Sequence, residues 1–150
     1  MIKMKILIVY RTEKDATGKS VKEIKERFEK AGHKVDLISR EDDLNLYSLS
    51  SSMGSLSAAI EKKDKKNSYN IIYTQDWSIA FPLLIPTRIL SEKHYCLFHN
   101  IEPSGAKSRI LQKIAGNMMG DKLIVKTQQL REKFPKAAFS PDGLAPKTIK

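Results

Sequence analysis

The chain has 150 residues, 41% hydrophobic and 29% charged, a balance ordinary for one globular domain spanning 1–150. A single cysteine, Cys96, excludes a disulfide framework, and no apolar run approaches the ~20 residues of a membrane span. The net charge of +10 predicts either attraction to phosphates in nucleic acid, anionic lipid or sugar phosphates, or simply a lysine-rich solvated surface.

The amino terminus, Met1 to Lys5, lacks the charged, apolar, small-residue order of a signal peptide and runs straight into a strand-like segment. With one cysteine, this makes the cytoplasm the expected place. Met4 to Tyr10 is nearly all apolar, as a strand buried on both faces reads. A polar loop from Arg11 to Thr17 follows. Val21, Ile24, Phe28 and Ala31 then recur at helical spacing, and Gly32 stops the helix. Lys34 to Ser39 is a second strand. Glu41 to Ser57 reads as a Ser-, Asp- and Asn-rich loop leading to a helix near Leu56–Glu61, with Lys62 to Lys66 as its solvated end.

Asn70 to Thr74 is a third buried strand. Asp76-Trp77-Ser78 follows, and a short apolar helix interrupted by Pro82 and Pro86 runs to about Leu90. Tyr95 to Phe98 is a strand ending at His99-Asn100, and it holds Cys96 as a buried core thiol. A loop with Pro103 and Gly105 opens the next helix. Ile110, Leu111, Ile114, Ala115, Met118 and Met119 form its apolar stripe, and Gly120 stops it. Lys122 to Lys126 is a strand, Gln128 to Phe134 a helix, and Ala137 to Phe139 a last strand before the turn Ser140-Pro141-Asp142-Gly143. From Ser104 to Lys136 eight basic residues stand against two acidic ones, a local net of +6.

Strands alternating with helices predict an α/β fold: a Rossmann-like, doubly wound, mostly parallel sheet with helices on both faces. Ligands of such sheets bind outside the carboxyl ends of the strands. That rim should carry Arg11 to Gly18, Asp76-Trp77, His99-Asn100, Thr127 and Asp142-Gly143.

Gly18-Lys19-Ser20 invites a phosphate-loop reading, but that motif needs a glycine at position 13, where Glu13 stands. The three spaced glycines of a dinucleotide site are also lacking. Two readings of this loop survive: an anion near Thr17, Gly18 and Lys19 at the helix N-terminus, or a helix cap by Thr17 or Ser20. A receiver-like signalling domain would need an acidic cluster after the first strand, where Arg11 and Thr12 stand.

His33 and His94 precede their strands and read as structural. His99 follows its strand and could donate a hydrogen bond to a hydroxyl or phosphate, or serve only its own loop. Asp76 could accept from sugar hydroxyls or cap the following helix. Trp77 could stack on a ligand or sit in the core. The histidines and Cys96 show no metal-ligand spacing, so no metal or cofactor is expected.

Taken in order, several segments resemble one family. They are the opening Lys-Ile-Leu-Ile-Val-Tyr strand, Ala31-Gly32-His33-Lys34-Val35, Tyr69 to Trp77, Cys96-Leu97-Phe98-His99-Asn100, Asp121 to Thr127, and Ser140-Pro141-Asp142-Gly143-Leu144. Their order resembles the N-terminal, acceptor-side domain of GT-B fold retaining glycosyltransferases of the glycogen-synthase-like and mannosyltransferase-like group. The resemblance implies a hexosyltransferase half that faces a nucleotide-sugar donor across a cleft. His99 would be the catalytic-cleft histidine, and Thr17, Gly18, Asp76, Trp77, Asn100 and Thr127 would bind substrate. The basic helix at Lys107, Arg109 and Lys113 would touch anionic lipid or a phosphate on a sugar or lipid-linked acceptor, as a peripheral contact at the inner membrane face. The family's donor-binding domain with its glutamate motif is not in this sequence. The resemblance therefore implies a piece of a longer chain, a separately encoded half that needs a partner carrying that domain, or a relic used for binding, and no turnover by this chain alone. The competing expectation, from charge, is a basic anion-binding module for nucleic acid or an anionic membrane surface, without catalysis.

Overall fold

A computed structural model describes residues 3–84, 92–100, 105–141 and 143. Strands β1 (Lys5–Tyr10), β2 (Lys34–Ser39), β3 (Ile71–Gln75), β4 (His94–Phe98), β5 (Leu123–Val125) and β6 (Ala138–Phe139) form one sheet in the order β2-β1-β3-β4-β5-β6. Every pairing among them is parallel. Between them run α1 (Ala16–Lys30), α2 (Leu49–Ser52), α3 (Ser55–Asn67), α4 (Trp77–Leu84), α5 (Gly105–Met119) and α6 (Gln128–Lys133). This is the doubly wound, Rossmann-like α/β sheet expected from the alternation of strands and helices.

Pleating explains the layers. Ile6, Ile8 and Tyr10 of β1 pack with Val21, Ile24 and Phe28 of α1 on one face. Leu7 and Val9 meet Leu56 and Ile60 of α3 and Ile79 of α4 on the other. Over β4 and β5 that second face is completed by Trp77, Ala115, Met119 and Leu130. Each Val, Leu, Ile, Phe or Met side chain among them contributes about 1.5–3 kcal/mol when fully buried. The chain moves from β1 outward to β2, then returns past β1 to β3 and continues in one direction. Right-handed crossovers put helices of opposite travel on opposite faces. Hence α1 lies alone on its face among the described residues, and α3 to α6 share the other. The loops after β1 and β3 diverge at this reversal. Such a reversal opens a crevice at the carboxyl ends.

At the amino end of β1, Lys5 N–H donates to Asn70 Oδ1 at 2.8 Å and its carbonyl accepts Asn70 N–H at 2.8 Å. This exchange sets the β1–β3 register. Helix α1 ends where Gly32 takes a left-handed φ of 99°.

Helix α3 spans Ser55–Asn67, and Lys62 to Lys66 form its mostly solvated end, as expected. Three expectations need correction. The serine-rich stretch holds a helix, α2, closed by a capping box in which Ser48 and Ser51 each bond the other's backbone N–H at 3.1 Å. His94 opens β4 rather than preceding it. In α5 the apolar stripe splits: Ala115 and Met119 are buried, while Ile110, Ile114 and Met118 are exposed. The face that packs on the sheet is completed by Gln112 and Gly116. Gly116 is held to a hydrogen there, because an added Cβ would come within 2.3 Å of the Phe134 ring. Pro86, Leu90, Pro103, Asp142 and Leu144 lie outside the described residues.

Candidate functional site at the sheet reversal

The site is built around Asp76, the residue after β3. Its φ is +69°, a left-handed conformation uncommon for a side-chain-bearing residue other than Asn or Asp. Three bonds hold it there. Its N–H donates to Leu97 O at 2.7 Å, and its carbonyl accepts Ala80 N–H at 3.2 Å, starting α4. Its Oδ1 accepts the backbone N–H of His99 at 2.9 Å. Oδ2 is within 3.5 Å of the Thr17 hydroxyl, which donates across the reversal from α1. Asp76 therefore ties three elements: the start of α1, the end of β3 and the end of β4.

His99 is buried, and its Nε2 lies 2.8 Å from Gln75 Oε1. Burial, helped by the positive charge of Lys126, pushes its pKa down to about 4. The ring is thus neutral at neutral pH, a hydrogen-bonding group rather than a stored proton. Gln75 is itself buried, and its Nε2 has no hydrogen-bond partner among the described residues. Sequence reasoning missed Gln75. Its signal was a primary amide ending a buried strand, directly before Asp76.

The loop after β1 departs from expectation. Neither Thr17 nor Ser20 caps α1. Asp15 does, its Oδ1 accepting Gly18 N–H at 2.8 Å. That amide is therefore spent on a carboxylate rather than offered to an anion. Gly18 is required by packing instead: a Cβ would meet Thr12 O at 2.4 Å and Glu13 Cα at 2.7 Å. Around it carboxylates gather. Arg11 pairs with Asp15 at 2.8 Å and Glu41 at 3.1 Å. Asp42 accepts from the Thr12 hydroxyl at 3.1 Å and from Glu13 N–H at 2.9 Å. Arg40, buried, reaches Leu46 O and Glu41. This end of the rim therefore carries paired charges of both signs.

The remaining predicted residues scatter. Trp77 is buried with Cys96, Phe98 and Met119, so its ring packs the core and is not open for stacking. Asn100 is exposed, and its carbonyl accepts Gln112 Nε2 at 2.9 Å. Thr127 caps α6 by accepting Leu130 N–H at 3.2 Å, one strand beyond His99. No bond joins it to Asp76 or His99 among the described contacts. Lys107, Arg109 and Lys113 lie on α5, all exposed. His94 is structural: its Nε2 lies 2.8 Å from Thr74 Oγ1, and burial pushes its pKa down to about 3. His33 packs its ring edge on Phe28 with centroids 6.0 Å apart.

Two clefts are lined by residues other than Thr17, Asp76 and His99. One of about 340 Å³ is lined by Ser20, Glu23, Ile24, Arg27, Lys126 and Pro141, beside the carboxyl ends of β5 and β6. Another of about 380 Å³ lies between α5 and α6, lined by Arg109, Ile110, Gln112, Lys113, Lys133 and Phe134. Among the described residues no group of three or more His, Cys, Asp or Glu could hold a metal ion. No helix among them is long and apolar enough to cross a membrane.

A doubly wound α/β domain with a polar cluster at its reversal point is the class that fold and site define. No protein-family model matches the chain, and no curated protein matches it either.

Proposed function

We propose that this domain is the acceptor-side half of a glycosyltransferase, moving a sugar from a nucleotide-sugar donor to a glycan or lipid-linked acceptor. The observation that carries the reading is the meeting of Thr17, Asp76 and His99 at the reversal point between β1 and β3. The order of the motifs, which resembles that of the GT-B N-terminal domain, supports it too. A carboxylate and a neutral imidazole are hydrogen-bonding partners for sugar hydroxyls. In this reading Asp76 accepts from an acceptor hydroxyl, and Gln75 and His99 hold it in register. The Gly18 amide at the start of α1 already donates to Asp15, which disfavours a diphosphate there. The donor's phosphates therefore sit on a second Rossmann-like domain, carried by the same polypeptide or by a partner. By itself this domain supplies one wall of the cleft and does not turn over.

The test has two parts. Neutral glycans are titrated into the ¹⁵N-labelled chain, and the amides of Thr17, Asp76 and His99 should shift, an effect that Asp76→Ala abolishes. The chain is also joined to a donor domain and assayed for transfer from labelled nucleotide sugars. A stable complex that transfers nothing from any of them, with amides that no glycan moves, sinks the reading.

A second reading, an anion-binding module without catalysis, is favoured by the convergence of Arg109, Lys113 and Lys133 on one cleft. Binding to nucleic acid would then fall steeply with salt.

A further inference from the structure

Helix α5 carries an exposed apolar stripe that the fold does not use. Ile110 is 58% exposed, Ile114 43% and Met118 52%, and spacing of four residues places them on one line along the outer face. Single exposed apolar side chains are ordinary, but three on successive turns of one helix form a continuous ridge. Lys107 lies beside that ridge and Arg109 and Lys113 along one flank, all exposed. The helix has no acidic residue in its 15 positions. Lys133 of α6 joins Arg109, Lys113 and Ile110 around the cleft between the two helices.

Three occupants could cover this face, and charge and apolarity together choose among them. A second copy meeting it about a two-fold axis would set Lys107, Arg109 and Lys113 against their own counterparts. Nucleic acid would satisfy the cations but gain nothing from two isoleucines and a methionine, and it prefers aromatic platforms for its bases. An anionic bilayer uses both halves: phosphates for the cations and the acyl boundary for the ridge.

We propose that α5 is a membrane-docking helix for anionic lipid. It lies flat on the surface, with Ile110, Ile114 and Met118 entering the boundary between headgroups and acyl chains. Lys107, Arg109, Lys113 and Lys133 meet lipid phosphates around them. The inference is independent of glycosyl transfer and stands whether or not the reversal-point cluster binds sugars.

The test is co-sedimentation of the whole chain with phosphatidylcholine vesicles, with and without phosphatidylglycerol. Binding is expected only with the anionic lipid. The double change Ile110→Ser and Ile114→Ser should weaken it about tenfold. Lys107→Ala and Lys113→Ala should each weaken it about fivefold. All four side chains are exposed, so circular dichroism should show each variant folded. Absence of binding to anionic vesicles overturns the proposal. So does binding indifferent to the serine pair, or equal binding to DNA that the serine pair leaves intact. A dimer in sedimentation equilibrium that Ile110→Ser dissolves would assign the face to a second copy instead.

Discussion

The carboxylate of Asp76, at the end of β3, accepts the backbone N–H of His99, at the end of β4, at 2.9 Å. This bond fastens two neighbouring loops at the carboxyl rim and holds Asp76 in a left-handed backbone. Asp76→Ala loses the acceptor and leaves a methyl-bearing residue at φ +69°. The two costs together should destabilise the fold by about 2–4 kcal/mol. Asp76→Asn keeps an acceptor and tolerates the left-handed region, so its loss should stay near or below about 1 kcal/mol. Urea unfolding followed by Trp77 fluorescence measures both. Equal losses in the two variants would show that the backbone bonds alone hold the turn.

His94 and His99 give the fold a dependence on acid. Burial lowers their pKa values from 6.5 to about 3 and about 4. Between those values and 6.5 the unfolded chain binds more protons than the folded one. Their stabilisation is therefore complete above pH 6.5 and declines as pH falls through that window. Each histidine contributes a slope of up to about 1.4 kcal/mol per pH unit where only the unfolded state is protonated. Urea midpoints between pH 7 and 5 should drop accordingly, and His99→Gln should remove one histidine's share. A flat profile over that range contradicts the buried, neutral assignment.

Gly18→Ala tests packing against propensity. In a helix interior alanine is favoured over glycine by about 1 kcal/mol. Here the added methyl meets backbone atoms of Thr12 and Glu13 at 2.4 and 2.7 Å. Overpacking against backbone costs about 1–3 kcal/mol, so net destabilisation is expected. Thermal unfolding provides the comparison, and a more stable variant would mean that the loop after β1 yields freely.

Cys96 is fully buried, and burial pushes its thiol well above the ordinary range. A thiol-reactive aromatic disulfide should leave it untouched in the native protein and modify it only at the rate of unfolding. Rapid labelling without denaturant would place the thiol elsewhere.

Much of the fold was legible because strands buried on both faces leave continuous apolar runs, and Gly32 and Gly120 mark helix ends. The strand order was not, since periodicity says which residues face a core but not which strand lies beside which. The same blindness explains α5. Ile110 and Ile114 share a period with Ala115 and Met119, yet the seam that packs on the sheet runs through Gln112 and Gly116. At the site, Thr17, Asp76 and His99 were found by their place after strands, and they do meet. Gln75 was missed because a lone amide in a strand carries no spacing signal. Asp15 was passed over as a cap because Thr17 and Ser20 offered the same chemistry a few residues on. Trp77 had two readings, and only its packing against Cys96 and Phe98 separates them.

The exchange of hydrogen bonds between Lys5 and Asn70 spans 65 residues. During synthesis β1 leaves the ribosome long before β3 exists, and β2 alone can pair with it meanwhile. At roughly 5–20 residues per second, the wait lasts roughly 3–13 s. For that interval one edge of Ile6, Leu7, Ile8 and Val9 is an open template of unpaired amides and carbonyls. The nascent chain thus passes through a window in which that edge is open to pairing with another copy.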